Sequence, residues 1–235
     1  MPNFSFKTLA SVLALSAAAA QAAPILDTFS DGAGVIQSDA APYVEAYIPS
    51  IEAPGGGRYM AASVAQNGKF AFSAIQSGAY FTLVDAAMPL YTNLSYGFAN
   101  GFGQDLSLNL LSESAFKLDF LYVSAPMSLY VGVITAHGGG AISSLAEYAV
   151  SISPSFAQTV TVPFSALVNS AVNLSPVDWA DIDGITFIMS GPGASGFALD
   201  TFSTQAVPEP ETITLMLAGL ALVGHLARRR RPTAD

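Results

Sequence analysis

Short stretches of alternating apolar and polar residues occur along most of the chain. The clearest is 116–123, whose apolar residues on one side are Phe116, Leu118, Phe120 and Tyr122. Lys117 and Asp119 occupy the other side. Successive side chains of a β-strand point to opposite faces, so this spacing predicts a strand that buries one face in a core.

Similar stretches recur roughly every ten to fifteen residues, with Gly, Pro, Asn or Ser between them. The remaining predicted strands are 25–29, 43–48, 58–64, 69–72, 79–84, 94–98, 107–110, 128–134, 148–152, 158–162, 185–189 and 197–202. Asn67-Gly68 is a strong two-residue hairpin signal, since both residues tolerate positive φ. No long helical periodicity appears between the two ends of the chain. The pattern therefore predicts an all-β fold, an antiparallel β-sandwich of the jelly-roll kind, as one domain over residues 23–206.

The N-terminus has the features of a signal peptide. Lys7 is followed by an apolar stretch of small residues at 8–20, and Ala20-Gln21-Ala22 is a small-x-small cleavage site. The sequence predicts a signal peptide at 1–22, and hence export.

The C-terminus combines three features in a fixed order. The motif Pro208-Glu209-Pro210 precedes an apolar stretch at 212–227, which ends at four arginines, Arg228, Arg229, Arg230 and Arg231. The apolar stretch predicts a single transmembrane helix, although its ~24 Å is short for a hydrocarbon core of about 30 Å. Lys and Arg flanking a span stay cytoplasmic, so the arginines predict that the body lies outside the membrane.

This order of features at 207–231 resembles the PEP-CTERM sorting signal of Gram-negative bacteria. The resemblance implies that an exosortase recognises the tail while the inner membrane holds it transiently. It also implies cleavage near Pro208-Glu209-Pro210 and delivery of the body to the cell surface or the extracellular space. A plain C-terminal tail anchor is the alternative.

Charge and composition narrow the partners of the body. Between residues 24 and 207 three basic residues, Arg58, Lys69 and Lys117, stand against 14 acidic ones, a net charge of −11. This charge repels nucleic acid and anionic lipid, so both are rejected as partners, whereas it suits calcium or simple solubility. The chain has no cysteine, which excludes thiol catalysis and thiolate metal sites.

Three segments of the second half, 161–167, 179–187 and 196–202, carry a weaker resemblance. They are similar to the closing half of galactose-binding-like jelly rolls, which are common among carbohydrate-binding modules. The resemblance implies a structural calcium between the first and last strands, with Asp27 and Asp200 as ligands and Asp31 as a third candidate. No other cofactor is expected.

Candidates for catalysis are few, and we predict no catalytic residue. His137, the one histidine between residues 24 and 207, precedes three glycines in a predicted loop, and no Gly-x-Ser-x-Gly elbow occurs. Asp181 and Asp183 could form a carboxylate pair, but their position before Gly184 favours a turn.

The sequence therefore predicts a non-enzymatic secreted, cell-surface or extracellular-matrix protein. A carbohydrate-binding module for extracellular polysaccharide is the second hypothesis, and a hydrolase acting on glycans is the third. The aromatic residues that could form a sugar platform, or pack in the core instead, are Tyr43, Tyr47, Tyr80 and Trp179. Two or more aromatic residues side by side on an exposed sheet face would favour binding.

Overall fold

The computed structural model describes residues 24–38, 43–63, 69–86, 89–99, 102–103, 106–136, 142–170, 175–207 and 218–219. Several predictions fall outside these ranges: the signal peptide at 1–22, the Asn67-Gly68 turn, His137, the Pro208-Glu209-Pro210 motif and the four arginines at 228–231. Within the described ranges, no helix is long and apolar enough to cross a membrane. Because only residues 218–219 of the apolar stretch at 212–227 are described, its transmembrane helix stays a prediction.

The described residues form sixteen strands and two short 3-10 turns. The strands are β1 Ile25–Asp27, β2 Gly34–Ser38, β3 Tyr43–Pro49, β4 Gly57–Ser63, β5 Ala71–Gln76, β6 Ala79–Val84, β7 Leu90–Tyr96, β8 Phe98–Ala99, β9 Phe102–Gly103, β10 Glu113–Val123, β11 Met127–Ala136, β12 Ile142–Ile152, β13 Ser155–Pro163, β14 Val168–Asn169, β15 Gly184–Gly191 and β16 Gly196–Ala206. The 3-10 turns are Pro54–Gly56 and Phe164–Ala166. The predicted all-β fold is confirmed. The stretch at 107–110 is not a strand, since Leu108 makes only an isolated bridge with Ile182.

Two seven-stranded sheets make up the sandwich. Sheet A has the order β13-β10-β16-β6-β5-β2, with β1 also pairing β16, and sheet B has the order β14-β12-β11-β15-β7-β4-β3. The strand pairs whose registers are described are antiparallel. Contacts within the chain delimit one compact unit at Ala23–Gln205, which contains both sheets.

The core lies between the facing sides of the two sheets. Sheet A contributes Phe116, Phe202 and other aromatic residues, and sheet B contributes Phe187. The Phe187 and Phe202 ring centroids are 4.7 Å apart and nearly perpendicular, which is a favourable edge-to-face arrangement. Alternation along the strands therefore leaves the other side of each sheet for solvent.

Strand β10 follows its predicted alternation for most of its length. Phe116, Leu118 and Phe120 are buried as expected, but the prediction for Tyr122 is wrong, because its side chain is 39% exposed. The partner strand β13 has Ala157 in a left-handed conformation, with φ of 50°, between the partners of Phe120 and Tyr122. The regular alternation of β10 ends opposite this irregularity, and Val123 takes the next buried position.

Candidate functional site

Five tyrosines, two carboxylates and one amide lie on the outer face of sheet B. We call this set the tyrosine face, and its members are Tyr43, Glu45, Tyr47, Tyr59, Tyr91, Asn93, Tyr130 and Glu147. Their neighbours along each strand point into the core. Tyr130, for example, lies between Leu129 and Val131, which are both fully buried. The face is thus a direct result of strand alternation combined with the burial of the other side.

The strand register arranges these residues in two rows that cross the sheet. The first row contains, in order, Glu45, Ala61, Asn93, Ile188 and Tyr130. The second contains Tyr47, Tyr59, Ser95, Thr186, Gly132 and Glu147. With strands about 4.8 Å apart, the rows extend over roughly 19 and 24 Å. Tyrosines thus lie on both sides of a polar centre.

A hydrogen-bonded group occupies the β3 end of the face. The Tyr59 hydroxyl donates to the Glu45 carboxylate, and the Tyr43 and Tyr59 hydroxyl oxygens are 3.0 Å apart. Burial raises the pKa of both tyrosines, and the Glu45 carboxylate adds to the rise. Both hydroxyls therefore remain protonated at neutral pH. Nearby, the Tyr47 hydroxyl donates to the Gly56 carbonyl at 3.2 Å, and a Cβ at Gly57 would lie only 2.3 Å from that hydroxyl.

Tyr130 and Glu147 form a similar pair at the opposite end. Burial raises the pKa of Tyr130, and the neighbouring Glu147 carboxylate raises it further. Tyr91 is near enough to both ends to affect the pKa of Tyr43 and of Tyr130 electrostatically. Its ring is 42% exposed. Tyr43, Tyr47 and Tyr91 therefore present exposed rings on the face, whereas Tyr130 is half-buried and Tyr59 is buried.

Asn93 lies at the polar centre. Its side-chain oxygen accepts hydrogen bonds from the Ser95 hydroxyl at 2.6 Å and from the Thr186 hydroxyl at 2.9 Å. These two bonds fix the amide plane and leave its NH₂ group as the available donor. An ordered donor between aromatic rings is suited to fixing the orientation of a bound ligand.

A groove opens at one edge of the same side of sheet B. Its volume is about 520 Å³, and it is lined by Tyr91, Ser128, Ser151 and Ser190 among others. Ser128 lies opposite both Ser151 and Ser190, and Ser190 lies opposite Tyr91. The groove therefore continues the tyrosine face with a row of hydroxyl groups.

The structure places Asp27, one of the two predicted calcium ligands, in a buried ion pair. Its carboxylate receives two bonds of 2.6 Å from Arg58, one from Nε and one from a terminal nitrogen. The Tyr96 hydroxyl donates at 2.7 Å and the Phe29 backbone N–H at 2.8 Å. Asp27 and Arg58 side chains are both fully buried. A cation at Asp27 would have to displace the guanidinium of Arg58.

The electrostatics of this buried group favour the charged forms. Burial alone disfavours a charged Arg58, but the hydrogen bonds and negative charge of Asp27 outweigh it and raise the pKa of the guanidinium. Burial raises the pKa of Tyr96 well above its usual range, and Asp27 adds to the rise, so its hydroxyl stays a donor. Gly32 lies beside Arg58: its φ is 64°, and a Cβ there would come within 2.4 Å of the Pro49 carbonyl oxygen.

The other predicted calcium ligands have different surroundings. Asp31 accepts a hydrogen bond from the Ser50 hydroxyl at 2.5 Å, which lowers the pKa of its carboxyl group, and it lies 3.3 Å from Arg58. Asp200 is half-buried on β16 and accepts a hydrogen bond from Thr201 at 3.2 Å. Among the described residues, no group of three His, Cys, Asp or Glu side chains could hold a metal ion. The calcium site stays a prediction.

The other carboxylates and aromatic residues that the sequence analysis considered lie in a turn, in the core or on the surface. Asp181 is exposed in a turn, whereas Asp183 is buried and accepts a hydrogen bond from the Ala136 N–H, so the two carboxylates have different environments. Tyr80 is fully buried, and Trp179 stacks on Phe164 with centroids 4.4 Å apart. Tyr43 and Tyr47, in contrast, are 46% and 38% exposed on the tyrosine face.

Sheet A also exposes aromatic residues. Tyr122 and Phe156 lie opposite each other with ring centroids 5.2 Å apart, and Phe156 is 82% exposed. Phe81 and Leu83 on β6 are exposed as well. The tyrosine face differs from these positions in combining rings with carboxylates, hydroxyls and an amide.

Most of the tyrosine face was not predicted from the sequence. Tyr59, Tyr91, Asn93, Tyr130 and their carboxylate neighbours were not among the candidate site residues. In the segment Tyr91-Thr92-Asn93-Leu94-Ser95, residues 91, 93 and 95 share one side of a strand, and this spacing could have indicated a polar outer face. The alternation alone does not say which side faces the core, because Thr92 is as polar as its neighbours and yet fully buried.

Comparison with known proteins confirms the sorting motif. Residues 206–231 match the family described as the PEP-CTERM protein-sorting motif. No curated protein matches the sequence. The chain is thus an all-β sandwich protein that carries a PEP-CTERM sorting motif at its C-terminus.

Among solved structures, the chain is similar to a family 11 carbohydrate-binding module from Clostridium thermocellum in complex with a β-1,3-1,4-mixed-linked tetrasaccharide. The identity is 13%, the match covers 79% of this chain and 96% of that one, and the TM-score is 0.43. A family 11 module of a cellulosomal cellulase from the same organism matches at 13% identity, over 81% and 98% of the two chains, with a TM-score of 0.43. An agarase matches at 11% identity, over 80% of this chain and 25% of its own, with a TM-score of 0.43. The likeness concerns the arrangement of strands.

Proposed function

We propose that this protein is an exported, non-catalytic carbohydrate-binding protein whose tyrosine face binds a polysaccharide outside the cell. The observation that carries the proposal is the side-by-side arrangement of tyrosines on one exposed sheet face, around the ordered amide of Asn93. The sorting motif at 206–231 supports the proposed location outside the cell.

The chemistry of the face suits a sugar chain. A tyrosine ring offers an apolar surface to the C–H face of a sugar ring, and its hydroxyl can hydrogen-bond at the same time. Asn93, Ser128 and Ser190 add polar groups between the rings, as oriented polar contacts do in small-molecule sites. Rows of roughly 19 to 24 Å can hold several sugar units side by side.

The carboxylates of the face argue against a glycosidase. Glu45 lies on β3 and Glu147 on β12, which are separated by five strand intervals in sheet B. That separation is about 24 Å at the usual strand spacing. Glycosidases place their two carboxyl groups roughly 5 to 9.5 Å apart. These two residues therefore serve binding in our proposal, and a glycan hydrolase is not favoured.

Replacing Tyr91 by alanine is expected to weaken polysaccharide binding about tenfold, since it removes one exposed ring worth ~1.4 kcal/mol of binding free energy. Tyr130→Ala should have a similar effect from the other side of Asn93. The measurement is a glycan-array screen with the full chain, in a detergent without a sugar head group, followed by calorimetric titration of each oligosaccharide that binds.

The matched control is Phe156→Ala, which removes an exposed ring from sheet A and should leave binding unchanged. Near-ultraviolet circular dichroism of each variant checks that the fold is retained. Equal loss of affinity in Phe156→Ala and Tyr91→Ala would move the site away from the tyrosine face. No binding of any glycan by the wild-type chain would overturn the proposed function.

Sorting gives a separate prediction. Glu209→Ala, or deletion of Arg228–Arg231, should leave the body in the inner membrane or mislocalised, because each removes one part of the signal that we propose an exosortase reads. Cell fractionation in a strain with an intact exosortase system measures this, with Glu211→Ala as the control outside the motif. Unchanged release of the deletion variant would contradict the prediction.

A further inference from the structure

The tyrosine face carries negative charge and no lysine or arginine. Its charged residues are Glu45 and Glu147, one near each end. The body has only three basic residues, and each is placed elsewhere. Arg58 is buried against Asp27, Lys69 lies 3.7 Å from Asp85, and Lys117 lies on β10 of sheet A. An acidic polysaccharide would therefore meet two carboxylates without a compensating cation.

Each carboxylate is held beside aromatic rings. Tyr59 donates its hydroxyl to Glu45, with Tyr43 next to it, and Glu147 lies diagonally across from Tyr130 on the neighbouring strand, near enough to raise the pKa of its hydroxyl. The hydrogen bond from Tyr59 fixes the direction of the Glu45 carboxylate, and both carboxylates keep lone pairs for a ligand. A carboxylate next to an aromatic ring is a favourable setting for an ammonium group, because the charge and the ring electrons both attract it.

We infer that the ligand of the tyrosine face is a polysaccharide with free amino groups, of the glucosamine type, in preference to a neutral or acidic one. The inference rests on the proposed function, since it concerns the ligand of the same face. Sugar rings stack on the tyrosines, and protonated amines near the two ends of the tyrosine face pair with Glu45 and Glu147. The net charge of −11 on residues 24–207 adds a long-range attraction that draws such a polycation toward the body.

Titration of three oligosaccharides of equal length tests the inference: a glucosamine hexamer, an N-acetylglucosamine hexamer and a galacturonate hexamer. At about pH 6 a sugar amine, like an α-amino group of pKa about 8, is protonated, whereas at about pH 9 most of it is neutral. With the full chain at low salt and about pH 6, the glucosamine hexamer should bind roughly tenfold tighter than the N-acetylated one. The galacturonate hexamer should bind weakest, and the glucosamine preference should fall toward unity at about pH 9.

Two double variants distinguish pairing of amines with Glu45 and Glu147 from long-range attraction by the net charge of the body. Glu45→Gln combined with Glu147→Gln keeps the size of each side chain and one of its two acceptor oxygens but removes both charges, so the glucosamine hexamer should no longer bind tighter than the N-acetylated one. Asp119→Asn combined with Asp181→Asn changes the net charge equally away from the tyrosine face and should keep the preference.

The contrary outcomes are distinct. Equal binding of the glucosamine and N-acetylated hexamers overturns the inference and leaves the proposed function standing. A preference that survives in the glutamate variant, or is lost equally in the aspartate variant, also overturns it, because the charge at the two glutamates is then not responsible. Failure of all three hexamers and of the wider glycan screen overturns the proposed function itself.

Discussion

Replacing Arg58 by methionine is expected to lower the free energy of unfolding by about 3–5 kcal/mol. The reason is that Asp27 would remain fully buried with its charge uncompensated, keeping only the bonds from Tyr96 and Phe29. Arg58 also lies over the Phe29 ring, with its guanidinium carbon 5.3 Å from the centroid, so packing is lost as well. Urea unfolding of the full chain, followed by near-ultraviolet circular dichroism, measures the change.

The double variant Arg58→Met with Asp27→Leu sharpens this prediction. It removes both charges, so it should be less destabilised than the sum of the two single variants. Lys69→Met is the control, because its ion pair with Asp85 is partly exposed and should contribute about 1 kcal/mol or less. A loss in Arg58→Met no larger than in Lys69→Met would contradict the role of the buried pair. The predicted calcium site at Asp27 and Asp200 is tested separately, by thermal melts of the same samples with and without millimolar calcium.

Phe120→Ala is expected to destabilise the sandwich by a similar amount, about 3–5 kcal/mol. The side chain is buried on β10, and its ring meets that of Phe197 at 5.9 Å, nearly edge to face. Truncation would leave a cavity between the sheets that the surrounding strands can only partly fill. Thermal and urea unfolding of the variant measure the loss.

Tyr122→Ala is the matched control on the same strand. Its ring contacts that of the exposed Phe156 on β13, and 39% of the residue is exposed. Its removal should cost about 1 kcal/mol or less. If the two variants were equally unstable, the assignment of Phe120 to the core and Tyr122 to the surface would be wrong.

These two positions show where sequence reasoning succeeded and where it stopped. Regular alternation correctly placed Phe116, Leu118 and Phe120 on the core side, because a strand has a fixed period of two. The same rule failed at Tyr122, which is exposed and lies where the neighbouring strand has the left-handed Ala157. Nothing within β10 itself carries that information.

The buried ion pair shows a similar limit. Asp27 was nominated as a calcium ligand through a resemblance, and Arg58 was counted only in the net charge. The structure joins them, although they are 31 residues apart in the chain. Asp27 is on β1 of sheet A and Arg58 on β4 of sheet B, so their meeting depends on how the two sheets face each other.

The sequence by itself determined the features that are local: the alternating strands, the all-β fold, the acidic body, and the sorting motif, which is a contiguous signal. Only the tertiary structure decided the cationic partner of Asp27, the side of each strand that is exposed, and the tyrosine face. That face draws on β3, β4, β7, β11 and β12, and the distant segments β7 and β11 enter one sheet because both pair with β15. Strand pairing is non-local, and a pattern with period two defines two faces without saying which one meets water.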